Sequence, residues 1–174
     1  KFHMADCKPV NTPMMLNEKL KQEDGAKKAD GKIFRSLVGS LIFLTHTRPD
    51  ICHTVSILSR FMQIPSNNHL IAAKRIIRYL KDTKEGGLQY VKEDECKLVG
   101  FTDSDWAGAL DDRKSTSGYV FCLGSNVISW SSRKQKTVAL SSAEAEYMAA
   151  TEEAYEVVWL RRILSDMKQT QDKP

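Results

Sequence analysis

The chain has no apolar run near the ~20 residues that a membrane-crossing helix needs, which excludes a spanning helix. Cysteine is scarce: the four (Cys7, Cys52, Cys96, Cys122) are scattered among 174 residues, with no C-x-x-C pair. His46, His53 and His69 share no ligand spacing and read as helix-end or surface residues, so a zinc site is not expected. Four separate reduced thiols fit an intracellular protein. Charge of one sign is also lacking: 26 Lys and Arg face 22 Asp and Glu, a formal +4. That excess permits nucleic-acid binding without requiring it. There is no internal repeat and no Gly-rich phosphate loop. The opening "KFHMADCKPVNTPM" lacks both a signal peptide's apolar core and an initiator methionine, and reads as cut from a longer chain. What is there, 41% hydrophobic and 28% charged residues, is the composition of a globular domain.

Along the chain the hydrophobic period changes once. Residues 1–30 are polar and Pro/Lys-rich and are expected as an extended or poorly ordered arm. "KIFRSLVGSLIFLTH" sets Ile33, Leu37, Leu41 and Leu44 at helical spacing. "THTRPDICHTVSILSRFMQ" offers Thr47 as an N-cap, Pro49 in the first turn and Asp50 three residues after the cap. Its apolar stripe is Ile51, Val55, Leu58 and Met62. A third helix is expected from about His69 to Lys81, with Lys74, Arg75, Arg78 and Lys81 on one side. Those cations are either a solvated face or a surface that tracks phosphates. At Gly86-Gly87 the pattern turns to alternation. "LQYVK", "LVGFTD", "GYVFCL", "NVISWSS" and "TVAL" read as short strands, with a tight turn at Gly124-Ser125-Asn126. From Ser142 to about Leu164 the period is helical again. A domain boundary is placed near residues 84–95.

"LVGFTDSDWAG" then brings a strand to an end on Asp103 and Asp105. With Glu146 taken as zero on the last helix, Ala150, Val157 and Leu164 fall at about 40°, 20° and 0°, which puts Glu146 at the start of the apolar face. Glu144, at about 160°, is expected in solvent, and Glu153, within about 20° of Glu146, is awkward there. A carboxylate on a buried face is costly unless paired or bound to a cation. Asp103 with Glu146 is therefore a candidate divalent-metal pair, against the alternative of turn caps and solvated acids. Asp105 reads better as a turn residue, though alternation leaves it open as a second ligand. Lys134 and Gln135, just before the last helix, are placed to reach a nucleic-acid backbone. Trp106, Trp130 and Trp159 read as packing aromatics rather than base-stacking platforms.

The strings "FRSLVGSLIFLTHTRPDI", "LSRFMQIPSNNHLIAAKRIIRYLK", "GFTDSDWAG", "DDRKSTSGYVFCLGSNVISWSSRKQKTVALSSAEAEYMAA" and "VVWLRRIL" closely resemble the Pol polyprotein of copia-type LTR retrotransposons, the plant elements most of all. The resemblance implies an α/β (mixed α+β) chain. Residues 1–30 would be an arm from the end of reverse transcriptase and 31–90 a helical connection. Residues 91–174 would be the N-terminal half of a ribonuclease H-like domain: three antiparallel strands of its mixed sheet, then a long helix. Thr102-Asp103-Ser104-Asp105 matches the family's first catalytic aspartate motif. Glu146-Tyr147-Met148-Ala149 matches the helix that carries its glutamate. The resemblance thus implies Asp103 and Glu146 as catalytic, metal-binding acids that help hold Mg²⁺ (or Mn²⁺) while the RNA strand of an RNA–DNA hybrid is cut.

It also implies the rest of the Pol polyprotein as partner, no membrane, and an intracellular place, in a cytoplasmic particle or the nucleus. The family's third and fourth acids have no match here, since Asp166 and Asp172 sit in the polar tail, and the paired-aspartate polymerase motif is absent. A stretch with half the acid set is expected to be inactive alone. The alternatives are a non-catalytic nucleic-acid-binding remnant and an unrelated carboxylate–metal phosphotransferase.

Overall fold

The computed structural model describes residues 2, 4–93 and 96–171; Asp172 lies outside them. The order is α1 (Gly31–Leu44), a 3₁₀ turn (Pro49–Ile51), α2 (Cys52–Ser59), α3 (Asn67–Asp82), β1 (Leu98–Ser104), β2 (Thr116–Leu123), β3 (Asn126–Lys134) and α4 (Ser142–Asp166). The expected mixed class, helices followed by three antiparallel strands and a long helix, is what forms. Two compact units result: Lys1–Gly87 with Ala109–Asp112, and Leu88–Gly108 with Arg113–Pro174. Among the described residues no helix is long and apolar enough to cross a membrane.

The first unit is built on one apolar cluster. Phe34, Leu37, Val38 and Leu41 of α1 meet Ile51, Val55 and Leu58, with Phe61 and α3's Ala72, Ala73 and Ile76 closing it. Ile33 and Leu44, expected on the buried stripe, are exposed; Phe34 and Val38 take their place. Asp30 caps α1 by accepting from the Lys32 and Ile33 amides. Thr47 does not cap the next helix. Arg48 stands at the N-cap of the 3₁₀ turn, and its guanidinium grips Asp50 through two bonds of 2.9 and 2.6 Å. Tyr79 donates to the same carboxylate at 2.7 Å, and Arg48 reaches the Thr83 carbonyl at 3.1 Å. Both partners hold the Asp50 carboxyl below its usual range.

His69 is a correction to the surface reading, for it is fully buried. Its Nδ1 accepts the Ser66 amide at 3.0 Å while Ser66 Oγ accepts the His69 amide, a reciprocal cap on α3. The ring stacks on Phe61 with centroids 3.9 Å apart. The arm is likewise held. Residues 21–29 are tied to 64–69 through Lys21 O to His69 Nε2, Gln22 Nε2 to Ile64 O, Asn67 N to Lys27 O and Ala29 N to Pro65 O.

In the second unit the sheet order is β1-β2-β3, both pairs antiparallel. Leu123 pairs with Asn126 across a two-residue turn in which Gly124 has φ +61, a conformation that suits glycine. Glu93 seals the turn by accepting from the Ser125 amide and hydroxyl. "LQYVK" and "TVAL" are not strands. Val91 makes its amide and carbonyl bonds to the Asn126 side chain, so no backbone ladder extends there. Val138 and Leu140 are exposed, and the Leu140 amide is taken by Glu144.

α4 packs on β1 and β2. Its buried residues are Ala145, Ala149, Leu160 and Leu164, so the packed face is turned from the expected one, and Glu146 and Ala150 are exposed. Measured from Ala145, the other three fall within about 100°. Small residues at 145 and 149 let the helix start lie close to the sheet, which fixes that rotation. Met167 is the C-cap of α4, and Lys168 after it is left-handed (φ +60). Gln169 N donates to Leu164 O at 2.7 Å and Lys168 N to Ser165 O at 2.9 Å, a Schellman closure.

Candidate carboxylate site and basic helix face

Asp103 is the sixth residue of β1, exposed, and paired in register with Gly118. A side chain at Gly100 would run into Glu153 and Phe121, so Gly100 faces α4. Alternation gives Thr102 and Ser104 the same face and turns Asp103 to the other, with Val99 and Phe101. Glu146 is exposed in the first turns of α4, beside buried Ala145. Glu144 is in solvent, as expected, and completes the helix start: its amide meets Ser141 Oγ at 3.1 Å and its carboxylate the Leu140 amide at 2.7 Å.

One side chain brings the two acid-bearing segments to the same end of the unit. Gln135, expected to reach a nucleic-acid backbone, is instead buried, with 2% of its surface exposed. Its Nε2 lies 3.1 Å from Ser104 Oγ, 2.9 Å from Ser117 Oγ and 2.9 Å from Ala145 O. A carbonyl only accepts, so Ala145 fixes which end of the amide carries the hydrogens. Ser104 follows Asp103 and Ala145 precedes Glu146, and the amide therefore locks the neighbours of both acids together. The backbone of Gln135 adds a bond to Ser115 O at 2.8 Å. Sequence reading missed this role because a glutamine after a Lys-rich strand end looks like a surface residue. The signal was its place between the strand and the cap of the next helix. Lys134, the last residue of β3, is half-buried opposite Thr116.

Asp105 is a turn residue. Its carboxylate accepts the Thr116 amide and fills the space beside Gly108, and its own amide donates to Thr116 O at 3.2 Å. Those bonds pin the chain as it leaves β1. Glu153 lies against Gly100 on α4's packed side, where burial raises its pKa. Trp106 and Trp159 are more than half exposed, contrary to the packing expectation; Trp106 donates to Ala139 O at 3.3 Å, and Trp130 is half-buried in β3.

Among the described residues there is no group of three or more His, Cys, Asp or Glu able to hold a metal ion. Asp103 and Glu146 offer hard oxygen donors of the kind Mg²⁺ takes, and Mg²⁺ is commonly held by one or two carboxylates with water. The described residues thus fit as a part of such a donor set and not as a whole one.

The basic face of α3 is covered by the chain itself. Arg75 donates to Thr12 Oγ1 at 2.9 Å, Arg78 to Lys8 O at 2.7 Å, and Lys81 to Ala5 O and Cys7 O at 2.7 and 2.9 Å. Lys74, on the same side, is half-buried. A row read as solvated or phosphate-tracking is seen clasping residues 5–12, because an extended arm presents carbonyls that accept from the cations.

No family model and no solved structure matches the chain significantly. Curated relatives do. It is 44% identical over 165 residues to the retrovirus-related Pol polyprotein from transposon RE1 of Arabidopsis thaliana, across 95% of this chain and 11% of that protein. It is 42% identical over 174 residues to the corresponding polyprotein from transposon TNT 1-94 of Nicotiana tabacum, across 96% of this chain and 13% of that protein. It is also 48% identical over 128 residues to the secreted RxLR effector protein 161 of Plasmopara viticola, across 73% of this chain and 90% of that protein. The chain spans about a tenth of the length of the Pol polyproteins it matches. By these likenesses, carried along nearly its whole length, the chain belongs to the copia-type retrovirus-related Pol polyproteins of plant transposons.

Proposed function

We propose that this stretch carries the first part of a ribonuclease H-type centre, with Asp103 and Glu146 as two of its carboxylates and the RNA strand of an RNA–DNA hybrid as substrate. The observation that supports it is the Gln135 amide, which ties Ser104 to Ala145 and so gathers the two acid-bearing segments at one end of the sheet. Both acids are exposed there, open to a cation and to a substrate. Mg²⁺, or Mn²⁺ in its place, supplies when bound an activated water and charge stabilisation at the leaving oxygen. The protein's own part is to hold at one end of the sheet the strand end and the helix start that carry these oxygen donors.

The described residues bring two such acids, so the reading assigns cleavage to the Pol polyprotein and not to this chain alone. The same reading makes the remainder of that polyprotein the partner and gives the parent element an intracellular place.

The test is cleavage of an end-labelled RNA–DNA hybrid in Mg²⁺ by this chain and by a longer stretch of the same polyprotein. The chain alone is expected to leave the hybrid intact. The longer stretch is expected to cut it and to lose that activity with Asp103→Asn or Glu146→Gln. Undiminished cutting by both variants would remove the assignment.

A further inference from the structure

We propose that residues 5–12 are a displaceable strap over a polyanion-binding face of α3, and that a nucleic-acid phosphate backbone takes the strap's place. The inference lies in the first unit and does not rest on the nuclease reading.

Three cations of one helix face hold the strap: Arg75, Arg78 and Lys81. With Lys74 they occupy a sector of about 120°, and residues 75 to 81 advance about 9 Å along the axis. At about 3.4 Å of axis per phosphate on one strand, that length faces two to three phosphates. Every partner these three have on the strap is neutral: the carbonyls of Ala5, Cys7 and Lys8 and the hydroxyl of Thr12. Their geometry is satisfied, but among the described residues no carboxylate pairs with their charge; the Arg48–Asp50 ion pair lies elsewhere in the unit.

A second observation comes from Arg75 itself. Its Nε is buried without a hydrogen-bond partner, a donor that the strap leaves over. An N–H of a guanidinium left unpaired is costly, and an anion with several oxygens can take two donors of one guanidinium at once.

The strap, for its part, has no ladder or helix over residues 7–12, and these side chains make its hydrogen bonds to α3. Such a segment opens at low cost compared with the packed helices beneath. The cation assists both bonds, but a phosphate adds an opposite charge that a carbonyl lacks, so the exchange favours the polyanion at low salt and the strap at high salt.

The probe is a polyuridylate 20-mer added to the full chain, with hydrogen–deuterium exchange followed over residues 4–13. Exchange of this segment is expected to rise when RNA binds, while α1 and α3 stay protected. With three phosphate contacts to a single strand, the slope of log affinity against log salt is about −2, a loss of about twentyfold between 50 and 200 mM salt. Arg78→Gln is expected to lower that slope by about 0.7, one contact. A synthetic peptide of residues 4–13 added in trans is expected to compete with the RNA. RNA that binds while residues 4–13 stay protected overturns the proposal, and so does an absence of RNA binding at 50 mM salt. The exchange readout needs no variant, so a misfolded substitution cannot leave the question open.

Discussion

The side-chain amide of Gln135 donates to the carbonyl of Ala145 at 2.9 Å, from a position that is 2% exposed. That bond holds the start of α4 to the ends of β1 and β2, since the same nitrogen reaches Ser104 and Ser117. Gln135→Ala removes these bonds and leaves the Ala145 carbonyl and two hydroxyls to find other partners. A loss of about 1–3 kcal/mol of stability is expected, read by urea unfolding. Gln135→Glu should not rescue it, because a carboxylate cannot donate to a carbonyl.

Glu153 rests against Gly100, and burial raises its pKa. The folded state therefore holds this proton more tightly than the unfolded one. The stabilising contribution is complete below the ordinary value of 4.5 and is lost as pH rises through the raised folded value. Glu153→Gln is expected to be more stable than the parent at pH 7 and to flatten this part of the pH profile. Equal unfolding midpoints for the two proteins at pH 7 would count against the placement. Gly100→Ala, which would meet both Glu153 and Phe121, is expected to destabilise.

Asp50 shows the opposite sign. Arg48 first, then Tyr79, hold its carboxyl low, so its contribution is present above the ordinary 3.8 and disappears as pH falls through the depressed value. Tyr79→Phe deletes one of these bonds and should cost about 1 kcal/mol at pH 7. The deficit should shrink in acid, which a series of thermal melts between pH 7 and pH 2 would follow.

Lys168 is left-handed at the close of α4. Glycine adopts that conformation without the side-chain penalty, so Lys168→Gly is expected to stabilise the chain by up to about 1 kcal/mol. A lower unfolding midpoint in this variant would contradict the Schellman closure.

What could be read in the sequence was whatever repeats at the period of one element. The four helices and three of the five expected strands announced themselves that way. The errors fall where one residue answers to a distant one. Val91 looked like strand but bonds to the Asn126 side chain 35 positions on. His69 looked exposed because nothing nearby in sequence shows that Phe61 will stack on it and Ser66 will bond to it.

In the candidate site, Asp103 and Glu146 come from the resemblance; the helix geometry that set Glu146 on the buried face fails, because α4 is rotated and Glu146 is exposed. The Gln135 bridge was not legible, since its three partners lie 10, 18 and 31 residues away. The strap on α3 was hidden for the same reason. Arg78 and Lys8 are 70 positions apart, and a cation row read alone gives no sign of which acceptor it will meet.

The most direct test of the site is a Mn²⁺ titration of this chain followed by amide resonances. Paramagnetic broadening is expected first and together at residues 102–105 and 144–148, and Asp103→Asn is expected to relieve it at both. Broadening confined to other acids, or persisting unchanged at 144–148 in the variant, would contradict a cation shared by Asp103 and Glu146.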